Sequence, residues 1–400
     1  MTLPLFPVTT VGSWPRSPEL LRALRERRRG EISEARFLET AHAGVREALR
    51  AQLAAGVDLV TDGEQARDNF YSFVAGKLDG VRLMSLGEML DLVEDKEGFS
   101  RLLETLDVPA FSISNPTCVG RIRLREPLAE DELRYLRTLT DRPVKVTLPG
   151  PYLLTRAMWV PEATRDAYPD KESLGADVVV ILRDEIARLV RAGADFIQLD
   201  EPVLTELVFT QGRTRTFMCA ALAARRDPAE ELAFAMDLLS RVLESAGDVR
   251  TGLHVCRGNW SRDERTLLAG SYAPLAGWFE RAPVRQLVLE YATLRAGDFV
   301  PVAGKEIGLG VVNPRSDDIE EPAAICRRVE SLLPHVDAER IFLNPDCGFG
   351  TFASRPMNAA AVAERKLAAM AMAAKALRVS CGSPRPSKSG VARRRSTPAT

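Results

Sequence analysis

Four hundred residues can bury a large apolar core, and 46% hydrophobic with 27% charged residues is an ordinary globular composition, not a disordered or fibrous one. The net charge of −1 includes five basic and no acidic side chains within 381–400, so the remainder is acidic and offers no broad basic surface to nucleic acid. No run of about 18 apolar residues could cross a membrane, Met1-Thr2-Leu3-Pro4-Leu5-Phe6-Pro7 lacks the regions of a signal peptide, and six scattered cysteines fit a reducing, cytoplasmic setting.

A first apolar run ends near Ser13. A helix over 33–55 follows, with Ser33 as its N-cap and Gly56 after its end. A second run ends at Glu64. The stretch 65–143 is too long for one strand–helix unit; it holds a helical pattern (86–106) and a strand-like one (117–125), read as an excursion beside the main fold. Runs ending at Gly150 and Asp200 flank 151–172, whose Trp159, Pro161, Tyr168 and Pro169 read as a long loop, a lid or a substrate wall. Helices are expected at 173–192, 228–246 and 319–333, and further strands ending near Cys256, Glu290, Asn313 and Cys347. An Ala- and Met-rich helix at about 358–378 closes the pattern. The Ser-, Pro- and Arg-rich residues 381–400 read as a disordered basic tail.

Eight strands alternating with helices predict α/β architecture, specifically a (β/α)8 TIM barrel over residues 1–380 with insertions near the barrel mouth. A doubly wound open sheet is the alternative. The barrel is preferred because it gathers all strand C-termini around one mouth, where four candidate ligands must converge. These are His254, Cys256, Glu290 and Cys347, each at the end of an apolar run. Residues i and i+2 of a strand share a face, so His254 and Cys256 point the same way. One imidazole, two thiolates and one carboxylate suit Zn2+ better than Mg2+, Ca2+ or Mn2+.

Thr10-Val11-Gly12-Ser13, Asp62-Gly63-Glu64, Leu148-Pro149-Gly150-Pro151, Asp200-Glu201-Pro202, His254-Val255-Cys256, Glu290, Gly308-Leu309-Gly310-Val311 and Asn344-Pro345-Asp346-Cys347-Gly348 recur in this order along the chain. In these motifs, from about Thr9 to Arg378, the sequence resembles the catalytic barrel of the cobalamin-independent methionine synthase family, in its single-barrel form. The resemblance implies the same barrel, zinc at His254, Cys256, Glu290 and Cys347, and homocysteine held by Ser13, Glu64 and Asp200. It implies a methyltransferase that activates homocysteine as its thiolate and gives methionine. The partners expected are a small-molecule thiol and a methyl donor, with an accessory protein or methyl carrier left open.

The family's proton-donating histidine has no counterpart here: the aligned position holds Arg315, whose guanidinium cannot act as an acid near neutral pH. Arg315 is therefore expected to serve the methyl donor by charge and hydrogen bonding. Asp346 is expected to orient either a ligating imidazole or a loop backbone. Arg257 and Asn259 are candidates for substrate contact, Trp14 and Trp159 for stacking on a flat donor or for plain packing, and Cys118, Cys219, Cys326 and Cys381 for structural thiols. Two other functions remain open at this point. One is a related zinc alkyltransferase joining another thiol, such as coenzyme M, to another electrophile; the other is a non-catalytic zinc barrel.

Overall fold

The computed structural model describes residues 3–90, 92, 114–209 and 227–382. Its strands are β1 (Leu78–Ser85), β2 (Ser114–Leu124), β3 (Lys145–Pro149), β4 (Phe196–Asp200), β5 (Arg250–Val255), β6 (Gln286–Leu289), β7 (Glu306–Val312) and β8 (Ile341–Pro345). β3 to β8 form one parallel sheet in sequence order. Nearly every residue in them is buried, as expected of short apolar strands covered on both faces.

Two N-terminal segments close this sheet into a barrel. Val8 bridges to Leu343 of β8, Thr9 to Leu59, and Val60 to Val144 beside β3, all in parallel. Thr9 N–H donates to the Leu343 carbonyl (3.0 Å) and Lys145 N–H to that of Val60 (2.8 Å). With these segments the chain is a (β/α)8 barrel, as the sequence pattern implied.

The helices outside the barrel follow their sequence signals closely. Glu34–Ala55 starts at Ser33, whose Oγ accepts from Arg36 N (3.2 Å), and stops at Gly56 in the left-handed region (φ 86°). Lys171–Arg191, Pro228–Leu243 and Pro322–Leu332 lie where helical periodicity placed them. The last helix runs Ala360–Gly382, so Cys381 belongs to it, packed against the core, rather than to the tail. The rest of that tail and Cys219 lie outside the described residues.

Two stretches depart from expectation. The segment read as a long loop holds the helices Pro151–Met158 and Pro161–Thr164, each with proline at its first position. Glu201 explains the first of these: its carboxylate accepts from Tyr152 N (2.8 Å) and Leu153 N (2.9 Å), capping the helix start. The excursion is an antiparallel hairpin of β1 and β2, joined on the β1 side by the helix Leu86–Leu90. β1 was not expected, and most of the predicted helix 86–106 lies outside the described residues.

Candidate metal and thiol site

The barrel's strand ends bring three expected ligands together. His254, Cys256 and Cys347 are buried, and their ligating atoms all lie within 4.8 Å of one another. His254 is fixed by its backbone on β5 and by Nδ1, which lies 3.2 Å from the Val288 carbonyl. That contact makes Nδ1 the protonated nitrogen and leaves Nε2 facing Cys347 Sγ at 3.6 Å. Tetrahedral zinc with bonds of about 2.0–2.3 Å needs ligand atoms somewhat under 4 Å apart. The Cys347 Sγ–His254 Nε2 spacing of 3.6 Å suits such an ion.

The charges of this cluster are coupled through short contacts. The Cys256 thiol is lowered to about 5, first by a hydrogen bond from Cys347 and then by His254, against the opposing effect of burial. Cys347 is pushed well above its ordinary range by the same hydrogen bond, by burial and by the Cys256 charge. Burial alone would lower His254, but the hydrogen bond and charge of Cys256, with Asp200 and Glu290, raise it to about 9.

Glu290, the fourth expected ligand, is not among those three. It follows β6 and is held instead by arginines. Its Oε1 lies 3.2 Å from Arg315 Nη1 and 3.2 Å from Arg295 Nη2, while Oε2 accepts from Arg257 N at 2.9 Å. Burial would raise its pKa, but Arg295, Arg315 and Arg257 hold it below the usual carboxylate value.

Arg315 differs from expectation in a related way. It is 3% exposed, and its guanidinium donates to Glu264, Asn259, Glu290 and Asp346, each at 3.2 Å. Asp346 in turn accepts from Tyr291 N (2.9 Å) and Ala292 N (2.8 Å), so it orients the loop after β6 rather than an imidazole. Arg257 is also buried, not solvated: its guanidinium lies 3.8 Å from the Tyr272 ring centroid and donates to the carbonyls of Gly270, Glu290 and Ala296. These arginines hold the β5, β6, β7 and β8 loops together.

Ser13, Glu64 and Asp200 line one cavity with the His–Cys cluster, and Asp200 stands beside His254 in the register of β4 and β5. Glu64 adopts a left-handed backbone (φ 55°), and its Oε1 accepts from Thr147 Oγ1 at 2.9 Å. Its Oε2 is buried with no hydrogen-bond partner. An unpaired buried carboxylate oxygen is costly unless something fills the place. Asp200 Oδ1 accepts from Gln198 Nε2 (2.8 Å), and burial, with Glu64 nearby, pushes its carboxyl up to about 7. Asn259 lines the same cavity and donates to Gly348 O (2.8 Å) and Thr351 Oγ1 (2.7 Å). Phe70 and Phe352 lie on segments joined by the Asn69–Phe352 bridge and also line it; no sequence pattern marks either. The cavity holds about 30 Å3, roughly one water's share of liquid volume. Trp14 and Trp159 are buried and do not line it; Trp14 packs edge-on against Phe349.

Comparison with known proteins identifies the family and the fold. Residues 6–256 and 293–376 match the family model described as the catalytic domain of cobalamin-independent synthase. The chain is 29% identical over 355 residues to a methionine synthase of Pyrococcus furiosus, covering 87% of each. It is 28% identical to one of Thermococcus kodakarensis, covering 87% of this chain and 88% of that one. A B12-independent methionine synthase from Shewanella sp. W3-18-1, solved in complex with selenomethionine, shares the fold at a TM-score of 0.69 and 22% identity, over 94% of this chain and 99% of that one.

Proposed function

Because the chain belongs to the cobalamin-independent methionine synthase family, we propose that it methylates the sulfur of homocysteine to give methionine, at a zinc site made by His254, Cys256 and Cys347. One observation supports this reading: the carboxylates of Glu64 and Asp200 line one cavity together with His254, Cys256 and Cys347. An α-amino acid with a terminal thiol has an ammonium group at one end and sulfur at the other.

In this reading Glu64 Oε2 and the Asp200 carboxylate take the substrate ammonium by charge-assisted hydrogen bonds. Ser13 and Asn259 add neutral polar contacts at the wall. Zinc held by the three ligands supplies a cation that keeps the substrate thiol deprotonated at neutral pH. The new sulfur–carbon bond forms as the donor–methyl bond breaks, its electron pair leaving with the donor. Phe70 and Phe352 give the cavity part of its apolar wall.

Glu290 stays beside the metal site as the arginines' counter-charge. Arg315 positions Glu290 and Asp346 and does not itself touch the donor. The alternative thiol, coenzyme M, ends in a sulfonate and needs a free cation, whereas the charged groups that line the cavity with the cluster are both acidic. The test is thiol consumption by the purified protein, with homocysteine or coenzyme M, several methyl donors, and zinc present or removed. Homocysteine-dependent methionine formation that disappears on chelation and returns with zinc is expected. Turnover of coenzyme M alone, or zinc-independent turnover, would overturn the reading.

A further inference from the structure

A larger cavity lies outside this site. It measures about 540 Å3, within the range of roughly 300–1,000 Å3 typical of small-molecule pockets. Its walls come from the helices Pro18–Arg28, Glu34–Ala55 and Glu130–Arg137 and from the loop that begins at Asp62. Part of the wall is apolar and flat. Phe37 and Phe73 line it, and His42 stacks on Tyr135 with ring centroids 3.6 Å apart and planes 12° from parallel. Burial and Arg46 lower the His42 pKa, so this face is neutral at neutral pH.

The charges of the wall do not balance. Its four Arg and Lys side chains each have a carboxylate partner: Arg27 with Glu34 (2.7 Å), Arg28 with Asp68 (3.4 Å), Arg67 with Glu132 (2.6 Å) and Lys77 with Glu126 (3.3 Å). Asp62 and Asp131 are in no ion pair among the described residues. Asp62 is only 8% exposed, and its Oδ2 is buried with no hydrogen-bond partner. Burial and Glu132 raise its carboxyl to about 7, despite Arg67. Asp62 accepts from the Glu64 backbone and feels Arg67, but its Oδ2 lacks a partner, and the wall carries more carboxylates than basic groups.

We propose that this cavity binds a small organic cation, a primary amine on an aromatic or aliphatic body, with Asp62 as counter-ion and the His42–Tyr135 pair holding the body, since Arg27 and Arg67 already lie over the rings of Phe37 (4.4 Å) and Phe73 (4.5 Å). An anion is disfavoured because the basic groups are already paired. A bare divalent ion is disfavoured because no group of three ligating side chains around Asp62 is found among the described residues. The site is back to back with the homocysteine cavity. Asp62 lines one and Glu64 the other, with Gly63 (φ 72°) between them. The proposal stands independently of which thiol is methylated.

The test is calorimetric titration of the full-length, zinc-loaded protein with phenethylamine, beside its neutral isostere 2-phenylethanol and the anion phenylacetate. Saturable one-to-one binding of the amine alone is expected. It should weaken by about tenfold or more in Asp62→Asn, which removes the charge at constant shape, and vanish in Ala66→Phe, which fills the cavity. Circular dichroism checks that both variants fold. Should Asp62→Asn fail to fold, the comparison of amine with alcohol and the Ala66→Phe variant still decide. No saturable binding at millimolar amine, equal binding of the alcohol, unchanged affinity in either folded variant, or competition by homocysteine would each overturn the proposal.

Discussion

Arg315 Nη1 lies 3.2 Å from Glu290 Oε1, and both side chains are closed off from solvent. The same guanidinium reaches Asp346, which holds the backbone of Tyr291 and Ala292. One cation therefore serves two buried carboxylates on neighbouring strand ends.

Removing that cation should damage the scaffold before it damages one substrate's binding. Arg315→Ala leaves Glu290 and Asp346 short of a partner, and breaking a buried pair in this way costs about 3–5 kcal/mol. Urea unfolding should show a loss of that order. Arg315→Lys should recover only part of it, since a lysine cannot span both acceptors as a planar fork does. An Arg315→Ala protein of unchanged stability, with only the methyl donor's KM altered, would return Arg315 to a donor-binding role.

Metal content separates the three clustered ligands from Glu290. His254→Ala, Cys256→Ser and Cys347→Ser should each lose stoichiometric zinc on dialysis. Glu290→Gln should cost less zinc affinity than either thiol variant, because the Glu290 oxygens already have arginine partners. Metal analysis by mass spectrometry after dialysis settles the order. Full zinc retention in the cysteine variants would remove the metal site.

The carboxylates of the cavity should respond differently. Glu64→Gln and Asp200→Asn should weaken homocysteine about ten- to a hundredfold, the range for a lost charge-assisted hydrogen bond, while zinc stays bound. Steady-state kinetics with homocysteine varied, paired with zinc analysis of the same samples, gives both numbers. Normal homocysteine KM in both variants would mean that the thiol substrate carries no ammonium group.

Glu201 makes stability depend on pH. Burial raises its carboxyl to about 8, although Tyr152 N–H and Leu153 N–H draw it back toward ionisation. A carboxyl whose folded value lies above its unfolded value of 4.5 holds its proton more tightly in the folded chain. Its contribution is thus fully present below the unfolded value and is lost as pH rises through the folded one. Glu201→Gln does not titrate, so wild type should lose stability relative to the variant between about pH 5 and about pH 9. Parallel denaturation profiles across that range would show that Glu201 is ionised throughout.

The sequence was most legible where short apolar runs end in polar residues. That pattern located the barrel strands β3 to β8, and it put Ser13, Glu64, Asp200, His254, Cys256 and Cys347 around one mouth. Glu290 also stands at a strand end, but its partners depend on which way a side chain turns. Arg257, Arg295 and Arg315 converge on it from three different loops, and no local pattern announces such a meeting. The helices Pro151–Met158 and Pro161–Thr164 were hidden by their prolines, which read as loop formers yet suit a first helical turn. β1 was missed because much of it is exposed, so its apolar residues form no buried run.

The seam of the barrel sets the order in which the chain can fold. Val8 and Thr9 find their partners at Leu343 and Leu59, and Arg378 donates to the carbonyls of Leu5 (2.7 Å) and Phe6 (3.3 Å). The edge of the segment at Val8 must therefore wait for Leu343, far along the chain, before it is paired. Contacts of such long sequence separation slow folding and leave unpaired strand edges open to aggregation in the interval. Deleting the helix Ala360–Gly382, which carries Arg378, should therefore lower the yield of folded protein more than any surface change of similar size.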